Sequence, residues 1–144
     1  MFIGTYEHTI DDKSRLTLPA RFREALGDGV VLARGIDGNG AVYPRETWKV
    51  TVEDRMSALD PLSGEARQLR RFFFAGAGEA DIDGSGRVLV PAWLVEHAGL
   101  ERVVVVAGNY DHLELWNPTT WEKHVTAVEG SVEHAAERLA AHGS

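Results

Sequence analysis

Twice in this chain an aspartate stands four residues ahead of an arginine, with a polar turn between them and an apolar run after. Residues 10 to 20 read Ile-Asp-Asp-Lys-Ser-Arg-Leu-Thr-Leu-Pro-Ala, and residues 82 to 92 read Ile-Asp-Gly-Ser-Gly-Arg-Val-Leu-Val-Pro-Ala. Across such a turn the Asp11 carboxylate can meet the Arg15 guanidinium, and Asp83 can meet Arg87. A solvated surface pair of this kind contributes about 0–1 kcal/mol and has no further role. An arginine held extended by its own carboxylate is instead an aimed fork of donors, suited to a phosphate or to the edge of a guanine. Recurrence of the arrangement favours the second reading, with Asp11 orienting Arg15, Arg15 as the base reader, and Asp83 with Arg87 forming a second loop. Residues 13 to 23 hold Lys13, Arg15, Arg21 and Arg23 without an acid, whereas the matching window, 85 to 95, holds Arg87 alone. Lys13, Arg21 and Arg23 are therefore the candidates for phosphate contact, and the first loop is expected to carry most of it.

Other chemistries fail on their spacing. The run Asp81-Ile82-Asp83-Gly84-Ser85-Gly86 opens like a calcium loop, but the twelfth position is Ala92 rather than the bidentate glutamate, and the residues after it read as strand. The six histidines lack His-Glu-x-x-His spacing and there is no cysteine, so neither a metal centre nor a disulfide is expected. Ser14, Ser57, Ser63 and Ser85 sit in no Gly-x-Ser-x-Gly setting, and neither a P-loop nor a dinucleotide fingerprint is present. No catalytic residue and no cofactor is expected.

The elements that must hold the two loops come in duplicate. Asp83, Arg87, Pro91 and Ala92 all follow Asp11, Arg15, Pro19 and Ala20 by the same 72 residues, which marks an internal repeat. In each copy the loop leads into a short strand of alternating apolar residues, Leu16 and Leu18 or Val88 and Val90. Pro19 and Pro91 are expected at the first position of short helices that close at Gly27 and Gly99. Phe2 to His8 reads as a strand before the first loop, with Gly78 to Ala80 as its counterpart. After each short helix, the runs Val30 to Ala33 and Val103 to Val106 read as buried strands. Hairpin loops at 37–40 and 109–112 turn each of these into a returning strand. Each unit is thus strand, strand, helix, strand, strand, with a further helix from Pro44 or Pro118 whose Trp48 or Trp121 packs in the core.

Two more helices are expected. One runs from an Asp60 N-cap and Pro61 to about Phe74, packing through Leu62, Ala66, Leu69 and Phe73. Phe72, Phe73 and Phe74 cannot share one face, so at least one should reach beyond its own core to a second subunit or the other repeat. Arg67, Arg70 and Arg71 share another face of this helix, which reads as solvated. The C-terminal stretch places Val125, Val128, Val132, Ala136 and Leu139 at helical spacing, interrupted by Gly130, and frays over 140–144.

The opening Met-Phe-Ile-Gly-Thr-Tyr-Glu-His-Thr-Ile-Asp-Asp-Lys-Ser-Arg-Leu-Thr-Leu-Pro-Ala-Arg-Phe-Arg, taken with the second Asp-x-x-x-Arg and the Arg-Arg-Phe-Phe-Phe-Ala-Gly-Ala before it, resembles the MraZ family. The resemblance covers nearly the whole chain. It departs at Ser14, where the family usually has glycine, so a slight alteration of the first turn is expected. The resemblance implies an α+β fold of two tandem AbrB-like swapped-hairpin repeats sharing one core. The expected divisions are 1–59, a connecting helix at 60–76, 77–120, and a C-terminal helix and tail at 121–144. It further implies ring-shaped homo-oligomers that set rows of Asp-Arg loops against promoter direct repeats in double-stranded DNA, upstream of the division and cell-wall gene cluster. The competing reading is a ring-forming interaction scaffold or antitoxin-like partner that binds no DNA.

Composition bounds these readings. Two units of this size would each be marginal alone, so a common core is expected. The formal net charge of −7 argues against indiscriminate nucleic-acid binding and leaves affinity to the local basic strip. The longest apolar run, Val103 to Ala107, is far shorter than the roughly 20 residues of a membrane span. With no secretory pattern at the start, the expected location is the cytoplasm, at the nucleoid.

Overall fold

A computed structural model describes residues 1 to 142. Its larger sheet is antiparallel throughout and runs β1 (Thr5–Thr9), β7 (Val103–Gly108), β8 (Leu113–Trp116), β4 (Gly40–Pro44), β3 (Gly29–Arg34) and β5 (Ala77–Asp81). Each repeat therefore gives its first strand to the other: β1 pairs with β7, and β5 with β3. A two-stranded ribbon, β2 (Arg15–Thr17) against β6 (Arg87–Leu89), takes one strand from each repeat. The architecture is α+β with two tandem repeats.

The inner face of the sheet and the ribbon close one core. Leu16 and Val88 are directly opposed in the ribbon and both fully buried. They pack with Leu18 and Val90 against sheet residues such as Val30, Val42, Val104 and Leu115. Strand alternation then turns Arg15, Thr17, Arg87 and Leu89 outward. Two small helical segments plug the ends of this core through Phe22, Leu26 and Leu94.

Those segments differ. After Pro19 the chain makes a 3₁₀ turn, Ala20–Phe22, before α1 (Arg23–Leu26), whereas after Pro91 it forms α5 (Ala92–Ala98), ending at Gly99 in the left-handed region. Both prolines, and Pro44, sit one residue earlier than expected, as extended N-cap residues. Pro118 does occupy the first helical position, behind an Asn117 cap whose side chain accepts from the Thr119 amide at 2.9 Å.

The outer face is covered unevenly. Over the first half, Val31, Ala33, Ala41 and Tyr43 are capped by Trp48 of α2 (Arg45–Trp48), by Val52 of a π-helical turn (Lys49–Glu53) that leads into α3 (Asp54–Ser57), and by Phe73 and Phe74 of α4 (Gly64–Ala75). Over the second half, Val105, Ala107 and Trp116 are covered only by α6 (Pro118–Glu129) among the described residues, through Trp121 and the His124 ring 4.8 Å from that of Trp116. Neither α6 nor the following α7 (Val132–Ala141) has a buried residue, so the C-terminal apolar stripe lies open. The helix persists through Ala141, where fraying was expected from Ala140; Gly143 and Ser144 lie outside the described residues.

The α4 helix starts later than Asp60-Pro61 suggests. Asp60 accepts from the Leu62 amide at 2.9 Å and forms a turn of its own, and Ser63 caps the helix by accepting from the Ala66 amide at 3.3 Å. The packed face is accordingly Ala66, Phe73 and Phe74, and Leu62 and Leu69 are 87% and 40% exposed. Phe72 leaves this cluster, lying 4.6 Å beneath the Arg34 guanidinium and 6.0 Å from the His97 ring of the second repeat.

Candidate nucleic-acid interface

The two Asp-Arg loops have one backbone. Asp11 Oδ1 accepts from the amides of Lys13 and Arg15, both at 2.9 Å, and Asp83 Oδ1 accepts from those of Ser85 and Arg87 at the same distance. The second oxygen of each carboxylate accepts from the arginine Nε, at 2.9 Å for Asp11 and 3.0 Å for Asp83. One carboxylate thus ties its loop and aims its arginine. These bonds, the amide of Arg15 or Arg87 foremost, hold both carboxyls below the usual carboxylate range despite some desolvation, so both are ionised at neutral pH. Because Nε is the nitrogen committed, Nη1 and Nη2 of each guanidinium make no hydrogen bond among the described residues. That edge is the one a guanine or phosphate would engage in bidentate fashion.

Both loops need a left-handed residue, Ser14 at φ 61° and Gly86 at φ 77°. The serine alters nothing in the turn: its amide bonds Asp11 O at 3.0 Å as that of Gly86 bonds Asp83 O at 2.9 Å. A non-glycine residue here carries about 1–2 kcal/mol of strain.

The loops interlock. The Leu18 amide donates to Gly86 O at 2.9 Å and the Val90 amide to Ser14 O at 2.8 Å, so each turn is fastened by the strand end of the other repeat. In the ribbon Arg15 lies opposite Leu89 and Arg87 opposite Thr17. The two arginines are diagonal neighbours on one exposed face, with Cα atoms about 7–8 Å apart.

The remaining cations divide. Lys13 is exposed at the tip of the first loop. Arg21 is exposed, with Nη1 donating to Tyr6 Oη at 2.9 Å and the guanidinium 5.6 Å from the Phe22 ring centre. Arg23 is half-buried: its guanidinium occupies the space that a side chain at Gly86 would need, and Nη2 donates to Leu18 O at 3.4 Å. Burial, then the nearby Arg23 charge, lowers the His8 imidazole below its ordinary pKa. Sequence reading grouped Arg23 with the exposed cations and missed the reciprocal amide bonds. Its one available signal was the glycine at position 86.

A family model described as "MraZ protein, putative antitoxin-like" matches residues 1–72 and again residues 73–142. A protein of Heliobacterium modesticaldum is 47% identical over 139 residues, covering 96% of both chains. One of Roseiflexus castenholzii is 44% identical over 140 residues, 97% of both, and one of Caldanaerobacter subterraneus is 41% identical over 139, 96% of both. All three are named Transcriptional regulator MraZ. With its two-copy match to the family model and relatives aligned along almost their whole length, the chain belongs to the MraZ family.

Proposed function

We propose that this chain is a sequence-specific DNA-binding transcriptional regulator, working as a ring-shaped homo-oligomer on promoter direct repeats upstream of a division and cell-wall gene cluster that includes its own gene. The observation that carries this reading is the pair of Asp-Arg loops locked side by side, each leaving the far edge of its guanidinium open. Arg15 reads a base, Asp11 aims it, and Asp83 with Arg87 forms the neighbouring contact. Lys13 and Arg21 meet phosphate, while Arg23 props the Gly86 loop from beneath. No described helix is long and apolar enough to cross a membrane, and action at the nucleoid is the setting this role requires.

The charge of −7 makes assembly part of the mechanism. A single subunit offers few cations to the duplex and is otherwise repelled by it. Linked subunits on repeated sites bind at high effective concentration, so weak contacts multiply.

The test is a gel shift on the DNA just upstream of the native gene, beside a duplex of scrambled sequence. Wild type should retard only the native duplex. Arg15→Ala should lose that preference with fold and assembly intact, because each bidentate base contact is worth about 1–3 kcal/mol and recurs in every subunit. A folded, assembled Arg15→Ala protein that still discriminates the two duplexes would overturn the assignment, and a wild type indifferent to base order would favour a protein-interaction scaffold.

A further inference from the structure

The outward face of the ribbon presents four side chains, and one of them has no polar atom. Opposed residues of an antiparallel pair share a face, so Arg15 stands beside Leu89 there and Thr17 beside Arg87, with Cβ atoms about 4.5–5.5 Å apart across the strands. Leu89 is 60% exposed, whereas its chain neighbours Val88 and Val90 are buried and complete the core without it. A single exposed leucine is ordinary. This one is flanked by both candidate base readers, Arg15 across the strands and Arg87 two residues back along its own. On its other side it borders a cleft with Pro91 and Trp93, whose acids, Glu79 and Asp81, are engaged by Arg45 at 3.7 and 3.5 Å. The equivalent residue of the first repeat, 72 positions earlier, is Thr17, so the apolar side chain falls beside Arg15 alone.

We propose that Leu89 determines specificity by packing on the C5-methyl group of a thymine next to the base that Arg15 engages. This rests on the DNA reading proposed above and adds a residue to it. The major groove, about 12 Å wide, admits a two-stranded ribbon, and among the base edges displayed there only thymine carries an apolar group. Leu89 offers neither donor nor acceptor. Against cytosine, adenine or guanine it would strip water from a polar edge and return no hydrogen bond, whereas against thymine it covers a methyl group. One base step is about 3.4 Å along the duplex, comparable with the spacing across the ribbon, which sets the methyl group on the neighbouring base pair. Thr17, beside Arg87, carries both a methyl group and a hydroxyl and imposes no such choice. The two halves of the ribbon face therefore read unlike base pairs, and the face has a direction along the duplex.

Exchanging thymine for uracil tests the contact, because it removes the methyl group and leaves every base-pairing atom in place. The duplex upstream of the native gene is made in both forms, with a scrambled thymine duplex as control, and affinities are read by gel shift. Wild type should bind the uracil form at least about fourfold more weakly, the factor that one buried methyl group supplies. Leu89→Ala shortens an exposed side chain, so its circular dichroism spectrum and particle mass should match wild type. It should lose about the same factor on the thymine duplex and correspondingly less on the exchange to uracil. Leu89→Met keeps the apolar reach and should remain sensitive to the exchange. A wild type that prefers the native duplex to the scrambled one but binds the thymine and uracil forms equally overturns the role of Leu89 and leaves the DNA-reading role standing. A folded Leu89→Ala protein that loses as much on the exchange as wild type also overturns it, since the methyl groups are then read elsewhere and the leucine only supports the stem of Arg15. A wild type indifferent to base order overturns both.

Discussion

Around the first loop, Lys13 tips the turn, Arg21 reaches over Tyr6, and Arg23 runs inward; at the equivalent places the second repeat has Ser85, Trp93 beside Gly78, and Val95. The loops themselves do not differ in one hydrogen bond of their frames. The interlocking amides explain the contrast. They require matched turns, because each turn is part of the other's fastening, but they place no demand on the flanking surface. The Asp-Arg geometry is therefore held in duplicate, and positive charge is concentrated on one copy. The outer faces repeat the lesson: α4 folds over the first half, and nothing comparable folds over the second.

The largest effect should come from that outer cover. Trp48 is buried under α4 whereas Trp121 is only partly buried. Trp48→Ala should cost about 3–5 kcal/mol in urea unfolding, and Trp121→Ala clearly less. Equal losses would mean that the second half is covered after all.

The matched turns come next. Gly86→Ala forces a side chain into a left-handed position and onto the Arg23 guanidinium, and should lose about 1–3 kcal/mol. Ser14→Gly relieves its strain and should gain about 0.5–1 kcal/mol, read from the same unfolding curves. A destabilised Ser14→Gly would show that the serine side chain has a role of its own.

Charge asymmetry should show in the salt dependence of DNA binding. Losing Lys13 or Arg21 to alanine should flatten the slope of log K against log salt by about 1 each. Arg87→Ala should change the slope less while still reducing preference for the native sequence. A larger slope change at Arg87 would reverse the assignment of the two faces.

The smallest effect is that of acid. The fold depresses the His8 pKa, so its contribution is complete above the ordinary value of 6.5 and declines as pH falls below it. Asp11 and Asp83 are also depressed; their contributions are complete above 3.8 and disappear as pH falls through their lower folded values. His8→Gln should remove the first decline from a stability-pH profile and leave the second.

Much of this was legible in the residues. The Asp-Arg spacing, the common register of the two Pro-Ala pairs and the continuous apolar runs of β3 and β7 point directly to loops, repeats and buried strands. Strand partners were not legible from the pattern, because alternation tells which side of a strand is buried and nothing about which strand lies beside it. The family resemblance implied swapped hairpins, but that β1 and β5 are the strands exchanged was not legible at all. Local competition hid other features. Asp60 looks like a helix cap but spends its carboxylate on a turn, leaving the cap to Ser63. Leu69 fits the α4 stripe by spacing, yet the helix is rolled toward Phe73 and Phe74 because Val31, Ala33 and Tyr43 offer them a surface.

The exchange of strands also sets a clock for synthesis. β1 emerges among the first residues made, but its partner β7 spans Val103–Gly108, and the Ser14 turn waits for the amide of Val90. At about 5–20 residues per second, translation keeps the N-terminal loop without its fastening for roughly 4–15 s. A chain still on the ribosome would therefore carry the Asp11–Arg15 sequence without the rigid fork. The proposed recognition of DNA would begin only after most of the polypeptide is complete.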